Sequence, residues 1–96
     1  MYLVTTRNGG PAWQRSRALA SQTGWHDHAA FMDGLVEDGF VVLGGTLDDG
    51  ERAVLVVDSK SEQDVRRVLA RDPWSGSHLR IESVEHWTIR LNGHTR

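Results

Sequence analysis

The sequence of 96 residues contains no cysteine, which excludes disulfide bonds and thiolate metal sites. No apolar run approaches the ~20 residues of a membrane-spanning helix. The 11 lysines and arginines are interspersed with 13 acidic residues, so the chain lacks the basic stripe of a nucleic-acid-binding surface. The first residues lack the basic start and cleavage region of a signal peptide. We therefore expect a cytoplasmic protein whose partners include neither nucleic acid nor membrane.

What the chain does contain is typical of one small globular domain. Hydrophobic residues make up 39% and charged residues 25% of the sequence, which are ordinary proportions for a globular chain. A domain of this length buries only a little over ~60% of its unfolded surface, so a partner subunit would add needed stability. The sequence predicts a single domain over residues 1–91 and a mobile polar tail over residues 92–96.

The order of predicted elements is β-α-β-β-α-β. Ser61 is a good N-cap for the second helix, with Asp64 at the N3 position, and Gly39 and Pro73 are expected to stop the two helices. The predicted strands cover residues 2–6, 40–45, 52–57 and 79–91, and the predicted helices cover 25–38 and 62–71. This order is typical of the ferredoxin-like α+β fold, a four-stranded antiparallel sheet with both helices on one face.

Two of the predicted strands are apolar on both sides. Residues 40–43 and 53–57 each read as an unbroken hydrophobic run, and such strands need cover on both faces. The helices cover one face only, and a large exposed apolar patch is rare on monomers. We therefore predict a homodimer packed sheet against sheet. The alternative is that the long connection over residues 7–24, which has room for a short helical turn within 12–21, folds back over that face.

His26 and His28 precede an apolar helical run, which raises the question of a metal site. Successive helical residues are about 100° apart, which places these two side chains about 200° apart. His28 shares the side of Met32 and Leu35, whereas His26 faces solvent. The two histidines therefore cannot close on one metal from a helix, and we expect neither a metal nor a cofactor.

Asp72 follows the apolar stripe of the second helix, where the helix dipole disfavours negative charge. One interpretation is a turn former, because Asp-Pro commonly ends helices. However, the two helices of this fold are antiparallel, so His28 and Asp72 should meet at one end of the domain. A carboxylate can hold one ring nitrogen as a donor and leave the other free as a base. This pair predicts a small-molecule enzyme of proton-transfer type, an isomerase, lyase or hydrolase. The alternative is a binding or regulatory module that uses the pair only for ligand recognition.

Four further residues are candidates for ligand contact. Trp74 should lie beside Asp72 as a pocket wall or as plain packing, and Trp25 is a hydrophobic anchor or a ligand contact. Trp13 and Arg17 lie in the long connection, where they would form an aromatic and cationic lid for an anionic substrate. Solvent-facing or dimer-contact roles are the simpler interpretation of those two residues. The histidines at 78, 86 and 94 are interpreted as solvent-facing, and Gly44-Gly45 as a tight strand exit or a close backbone approach.

Several of these motifs occur together in a known family. They are His-Ala-Ala-Phe-Met at 28–32, Asp-Gly-Phe-Val-Val-Leu-Gly-Gly at 38–45, Asp-Pro-Trp at 72–74 and a tryptophan at 87. In this combination the chain resembles the YCII-related domain family over roughly residues 1–91. The resemblance implies the dimeric α/β-barrel form of the ferredoxin-like fold, with His28 and Asp72 at the family's proposed active site. The connection over residues 7–24 is longer than in the simplest members, which implies an extra wall or lid near the site.

Overall fold

The structure, a computed structural model, describes residues 1–93 and contains four strands and two α-helices within that range. The strands are β1 (Tyr2–Asn8), β2 (Val41–Thr46), β3 (Arg52–Val57) and β4 (Leu79–His86), and the helices are α1 (Trp25–Glu37) and α2 (Glu62–Leu69). A short 3₁₀ turn, Leu19–Ser21, lies in the connection between β1 and α1. Within residues 1–93, neither α-helix has the length and apolar character needed to cross a membrane.

The sheet has the strand order β2-β3-β1-β4, and every neighbouring pair is antiparallel. One core cluster joins Leu35 of α1 and Val65 of α2 to the sheet residues Val4 and Val57. Val4 pairs with Leu55, and Val57 lies two positions from Leu55 on β3. Because side chains alternate along a strand, Val4 and Val57 point to the same face of the sheet. Both helices therefore pack on that face, and the predicted ferredoxin-like α+β fold is confirmed.

Local signals placed most element ends, with three exceptions, the first of which is β1, which ends at Asn8, two residues after the predicted end. The Ser61 hydroxyl accepts a hydrogen bond from the Asp64 amide at 3.1 Å, as an N-cap does. However, α2 ends at Leu69, two residues before the predicted end. β4 ends at His86 and not at residue 91, because Tyr2 and His86 form the last pair of its ladder. β1 begins at Tyr2, so β4 has no strand to pair with beyond that point. Residues 94–96 of the predicted tail lie outside the described range.

The face of the sheet opposite the helices carries apolar side chains. Leu3, Val54 and Val56 alternate with core residues along β1 and β3 and are half-buried. Leu43 of β2, which pairs with Val56, is 57% exposed. The connection between β1 and α1 lies against residues 74–78, to which Gly9, Gly10 and Ala12 donate backbone hydrogen bonds. In one chain, this face therefore presents a partly exposed apolar surface.

Candidate active site

His28 and Asp72 are in direct contact, although 44 positions separate them in the sequence. The His28 Nδ1 atom lies 2.8 Å from both carboxylate oxygens of Asp72. The side chains are 14% and 5% exposed, respectively, so the pair is largely shielded from water. His28 lies in the first turn of α1, and Asp72 follows the end of α2. The antiparallel arrangement of the helices thus brings the pair together as the topology predicted, while its chemical role stays a prediction.

Asp72 is also a turn former, so the two interpretations of this residue are compatible. It lies three residues beyond the end of α2, in a turn. Its Oδ1 atom accepts the backbone N–H of Trp74 at 2.9 Å, and its carbonyl accepts the N–H of Ser75 at 2.9 Å. An aspartate that bonds the amide two residues ahead fixes its own side chain. The local turn therefore aims the carboxylate at His28.

The second ring nitrogen of His28, Nε2, has no hydrogen-bond partner among residues 1–93. Within the same range, no buried side-chain nitrogen or oxygen lacks a partner. Nε2 is therefore not among the fully buried atoms, and His28 lines the cavity described below. With Nδ1 donating to the carboxylate, a neutral ring presents Nε2 as an acceptor.

Trp74 is the structural centre of the site and is 1% exposed. Its indole stacks on the His28 ring at a centroid distance of 4.2 Å and an angle of 5°. On its other face it stacks on His78 at 4.7 Å and 13°. The indole N–H donates to the carbonyl of Thr23 at 2.9 Å, and Gly24, with φ of 73°, passes so close that a Cβ there would lie 3.2 Å from Nε1. Trp74 therefore links the rings of His28 and His78 to Thr23 and Gly24, at the end of the connection between β1 and α1.

The prediction that His78 faces solvent is wrong, because the residue is only 5% exposed. Its Nε2 atom lies 2.8 Å from the Thr23 hydroxyl, and its Nδ1 atom lies 2.9 Å from the Ser77 hydroxyl. Since Ser77 donates to the carbonyl of Pro73 at 3.3 Å, Nδ1 is the donor to Ser77 and Nε2 accepts from Thr23. Burial lowers the pKa of His78, and His28 lowers it further when its ring is protonated, while the charge of Asp72 raises it. His78 is therefore a neutral, fully bonded ring.

A second residue that sequence reasoning missed is Gln22, which is 4% exposed. Its carboxamide accepts the backbone N–H of Gln14 at 2.9 Å and donates to the carbonyls of Gln14 and Arg17 at 2.6 and 3.0 Å. These bonds hold the backbone at Gln14 and Arg17 against Gln22 within the connection. A lone glutamine in a loop gives no sequence signal for such a role, and residues 74–78 lie outside the helices, so the spacing of Trp74 and His78 gave no signal for the ring stack either.

A cavity of about 330 Å³ opens between the helices and the sheet at the end of the domain that holds the pair. His28, Asp72, Trp25 and Trp74 line it, together with apolar side chains from the sheet and from α1. Gly44 also lines it, and there a Cβ would meet Leu55 Cδ2 at 2.6 Å. Gly44 therefore leaves room for the tip of the Leu55 side chain, whereas a Cβ at Gly45 would meet nothing within 4 Å, so the predicted close backbone approach is not seen at Gly45.

The two other predicted ligand contacts lie away from this cavity. Trp13 packs edge-on against Trp74 at 6.0 Å, on the side of the connection. The side chain of Arg17 is exposed, and the residue contributes its carbonyl to the bond with Gln22. Neither residue is part of the cavity wall. His26 is exposed, and His94 lies outside the described residues.

No group of three or more histidine, cysteine, aspartate or glutamate side chains suited to a metal ion occurs in residues 1–93. Comparison with protein-family models, curated proteins and solved structures finds no match for this chain. The chemistry of the site is therefore argued from its own residues.

Proposed function

We propose that this protein is a small-molecule enzyme in which His28 transfers a proton and Asp72 orients and stabilises it. The observation that carries the proposal is the environment of the His28 ring: Nδ1 is bound to a buried carboxylate, Nε2 has no hydrogen-bond partner among residues 1–93, and the residue lines a cavity. Positioned imidazoles are the commonest general acids and bases near neutral pH. The pair needs no cofactor for this chemistry.

The geometry supports one sequence of proton movements. Neutral His28 removes a proton from the bound substrate at Nε2, and the Asp72 carboxylate stabilises the imidazolium that forms. The same Nε2–H then returns the proton, to another atom of the substrate in an isomerase or to the leaving group in a lyase. In a hydrolase the proton would come from water. The stack on Trp74 holds the ring plane fixed during both transfers.

The family and the assembly are part of the same proposal. A YCII-related domain would place its histidine and aspartate at positions 28 and 72, and the contact between these side chains supports that assignment. We also propose a homodimer formed sheet against sheet. The support is the apolar face opposite the helices, where Leu43 is 57% exposed and Leu3, Val54 and Val56 are half-buried.

Deuterium exchange tests the proton transfer without knowledge of the natural substrate. A panel of uncharged small carbonyl compounds is incubated with the protein in deuterated buffer, and proton NMR follows the loss of signal next to the carbonyl. We expect the wild type to accelerate exchange for some members of the panel. His28→Gln, which cannot shuttle the proton, should lose that acceleration.

The matched control is His26→Gln, because His26 lies on the same helix, is exposed and does not line the cavity. It should exchange at the wild-type rate. If compounds bind at the cavity but no member of the panel exchanges faster with the wild type, the alternative of a binding or regulatory module is favoured. Equal exchange by the wild type and His28→Gln would refute the role given to His28.

A further inference from the structure

We infer that the ligand of this cavity is an uncharged, mainly apolar small molecule with one hydroxyl, carbonyl or amide group for His28 Nε2. The inference rests on the proposed function, because it takes the cavity beside His28 as the binding site. It adds the chemical class of the ligand, and it argues against carboxylate and phosphate substrates.

The charges on the cavity wall are unfavourable to an anion. Among the described residues, no arginine or lysine lines the cavity, whereas the carboxylates of Asp33 and Asp72 both do. Arg17, the cation that the sequence suggested for an anionic substrate, is exposed and does not line the cavity. An anion would therefore give up its hydration and meet like charge without a compensating cation.

The apolar part of the wall is unfavourable to any full charge. Leu19, Trp25, Met32, Leu55 and Ile81 form much of the surface around the site. Moving an ammonium or a carboxylate from water onto such a surface costs far more than moving a neutral polar group. Asp33 is exposed, so solvent weakens its attraction for a cation as it weakens its repulsion of an anion. The Asp72 carboxylate is already bonded to His28 and to the Trp74 amide, so it is not free to pair with a cation.

Neutral hydrogen-bonding groups do find partners in the cavity. Three residues with uncharged polar side chains, Thr6, Asn8 and Thr46, line the cavity from the sheet. These uncharged groups can donate to or accept from a hydroxyl, carbonyl or amide. The volume of about 330 Å³ corresponds to the share of liquid volume of roughly ten waters, so a compact molecule of about that many non-hydrogen atoms fits.

Three probes of nearly equal shape separate these possibilities: cyclohexanecarboxamide, cyclohexanecarboxylate and cyclohexylmethylammonium. Each is titrated into the full-length protein, and the indole N–H signals of Trp25 and Trp74 are followed by NMR, because both rings line the cavity. We expect the carboxamide to bind at least about tenfold more tightly than either ion, a difference of ~1.4 kcal/mol. Equal or tighter binding of the carboxylate or the ammonium would overturn the inference, as would a failure of all three to bind at tens of millimolar.

A variant that lacks one carboxylate of the cavity wall tests why the cavity binds the carboxamide more tightly than the carboxylate. Asp33→Asn should narrow the difference in affinity between the carboxamide and the carboxylate by about threefold, the effect of one solvent-screened charge on the cavity wall. The control is Asp27→Asn, which removes the same charge from an exposed position of α1 outside the cavity wall. Identical changes in both variants would show that net charge, and not the cavity, sets the preference.

Failure of this inference is distinguishable from failure of the proposed function. The probe titrations report which charge the cavity accepts, and they do not depend on turnover. Deuterium exchange by His28 can succeed while the carboxylate binds best, which would reject only the ligand class. Conversely, the carboxamide can bind best to a protein that exchanges nothing, which would reject only the catalytic role.

Discussion

Replacing Asp72 with asparagine should change the tautomer of the neutral His28 ring without unfolding the protein. In the wild type, Asp72 Oδ1 accepts the N–H of Trp74 at 2.9 Å, and both carboxylate oxygens lie 2.8 Å from His28 Nδ1. Asparagine has only one acceptor oxygen, and in the variant that oxygen accepts the hydrogen bond from the Trp74 backbone N–H. The amide NH₂ of the variant therefore turns towards His28 Nδ1.

This exchange of donor and acceptor sets the tautomer. A neutral histidine that accepts at Nδ1 must carry its proton on Nε2. The wild-type ring should therefore be the Nδ1–H tautomer with a basic Nε2 facing the cavity. In Asp72→Asn the ring becomes the Nε2–H tautomer, which has no lone pair available for the substrate. The variant can still bind a ligand, but it cannot remove a proton from it.

The expected magnitudes differ greatly between stability and activity. Asp72→Asn keeps the bond to Trp74 and exchanges one charge-assisted bond for a neutral one, which should cost about 1 kcal/mol. For a domain of this size that corresponds to a melting temperature lower by about 4–8 °C. Any proton-transfer activity should fall by about 10⁴-fold, the effect that the wrong tautomer has in a serine-protease triad.

Long-range proton–nitrogen NMR of the histidine-labelled protein distinguishes the two tautomers directly. The spectra are recorded at about pH 8.5, two units above the ordinary histidine value, so that neutral rings dominate. Asp72→Ala provides the comparison, since it removes both bonds and leaves the Trp74 amide unpaired, at a cost of about 3 kcal/mol. If His28 shows the same tautomer in the wild type and in Asp72→Asn, Asp72 does not control the ring, and the proposed mechanism loses its basis.

Three other predictions address parts of the molecule outside this pair. Because burial lowers the pKa of His78, the folded state binds fewer protons there than the unfolded state, so stability is full above pH 6.5 and declines as the pH falls below it. Chemical denaturation between pH 7 and pH 5 should show a smaller decline for His78→Gln than for the wild type or His26→Gln; equal declines would contradict the assignment. Gln22→Ala should open the connection and accelerate tryptic cleavage there, whereas Gln14→Ala, which keeps the backbone bonds, should not. The wild type should sediment at twice its chain mass and Leu43→Glu as a monomer, and a monomeric wild type would exclude the proposed dimer.

Much of the fold could be predicted because local and long-range signals agree. The capping pattern at Ser61, the apolar runs and the element order all lead to the same antiparallel sheet. The end of β4 could not be predicted in this way, because it depends on where β1 begins and not on the residues of β4 themselves. A strand pattern in the sequence says nothing about the length of its partner.

The candidate site could also be predicted only in part. His28 and Asp72 could be brought together from topology alone, since each lies at a defined end of a helix. The burial of His78 could not, because it follows from a turn in which its N–H, at 3.0 Å, bonds the Trp74 carbonyl and directs the ring back onto the indole. Predicting it required the conformation of a loop between α2 and β4, for which no periodic pattern exists.

The placement of the connection has a consequence for how such a protein can diversify. Residues 9–24 are fastened by the backbone of residues 74–78, by the Trp74 indole and by their own Gln22, and His28 and Asp72 take no part in that attachment through their side chains. The connection still reaches the cavity through Leu19. Its length and sequence can therefore drift under selection for a new ligand while the acid–base pair keeps its geometry. In such a lineage, the contact that Leu19 makes with a ligand could change without a change in the acid–base pair.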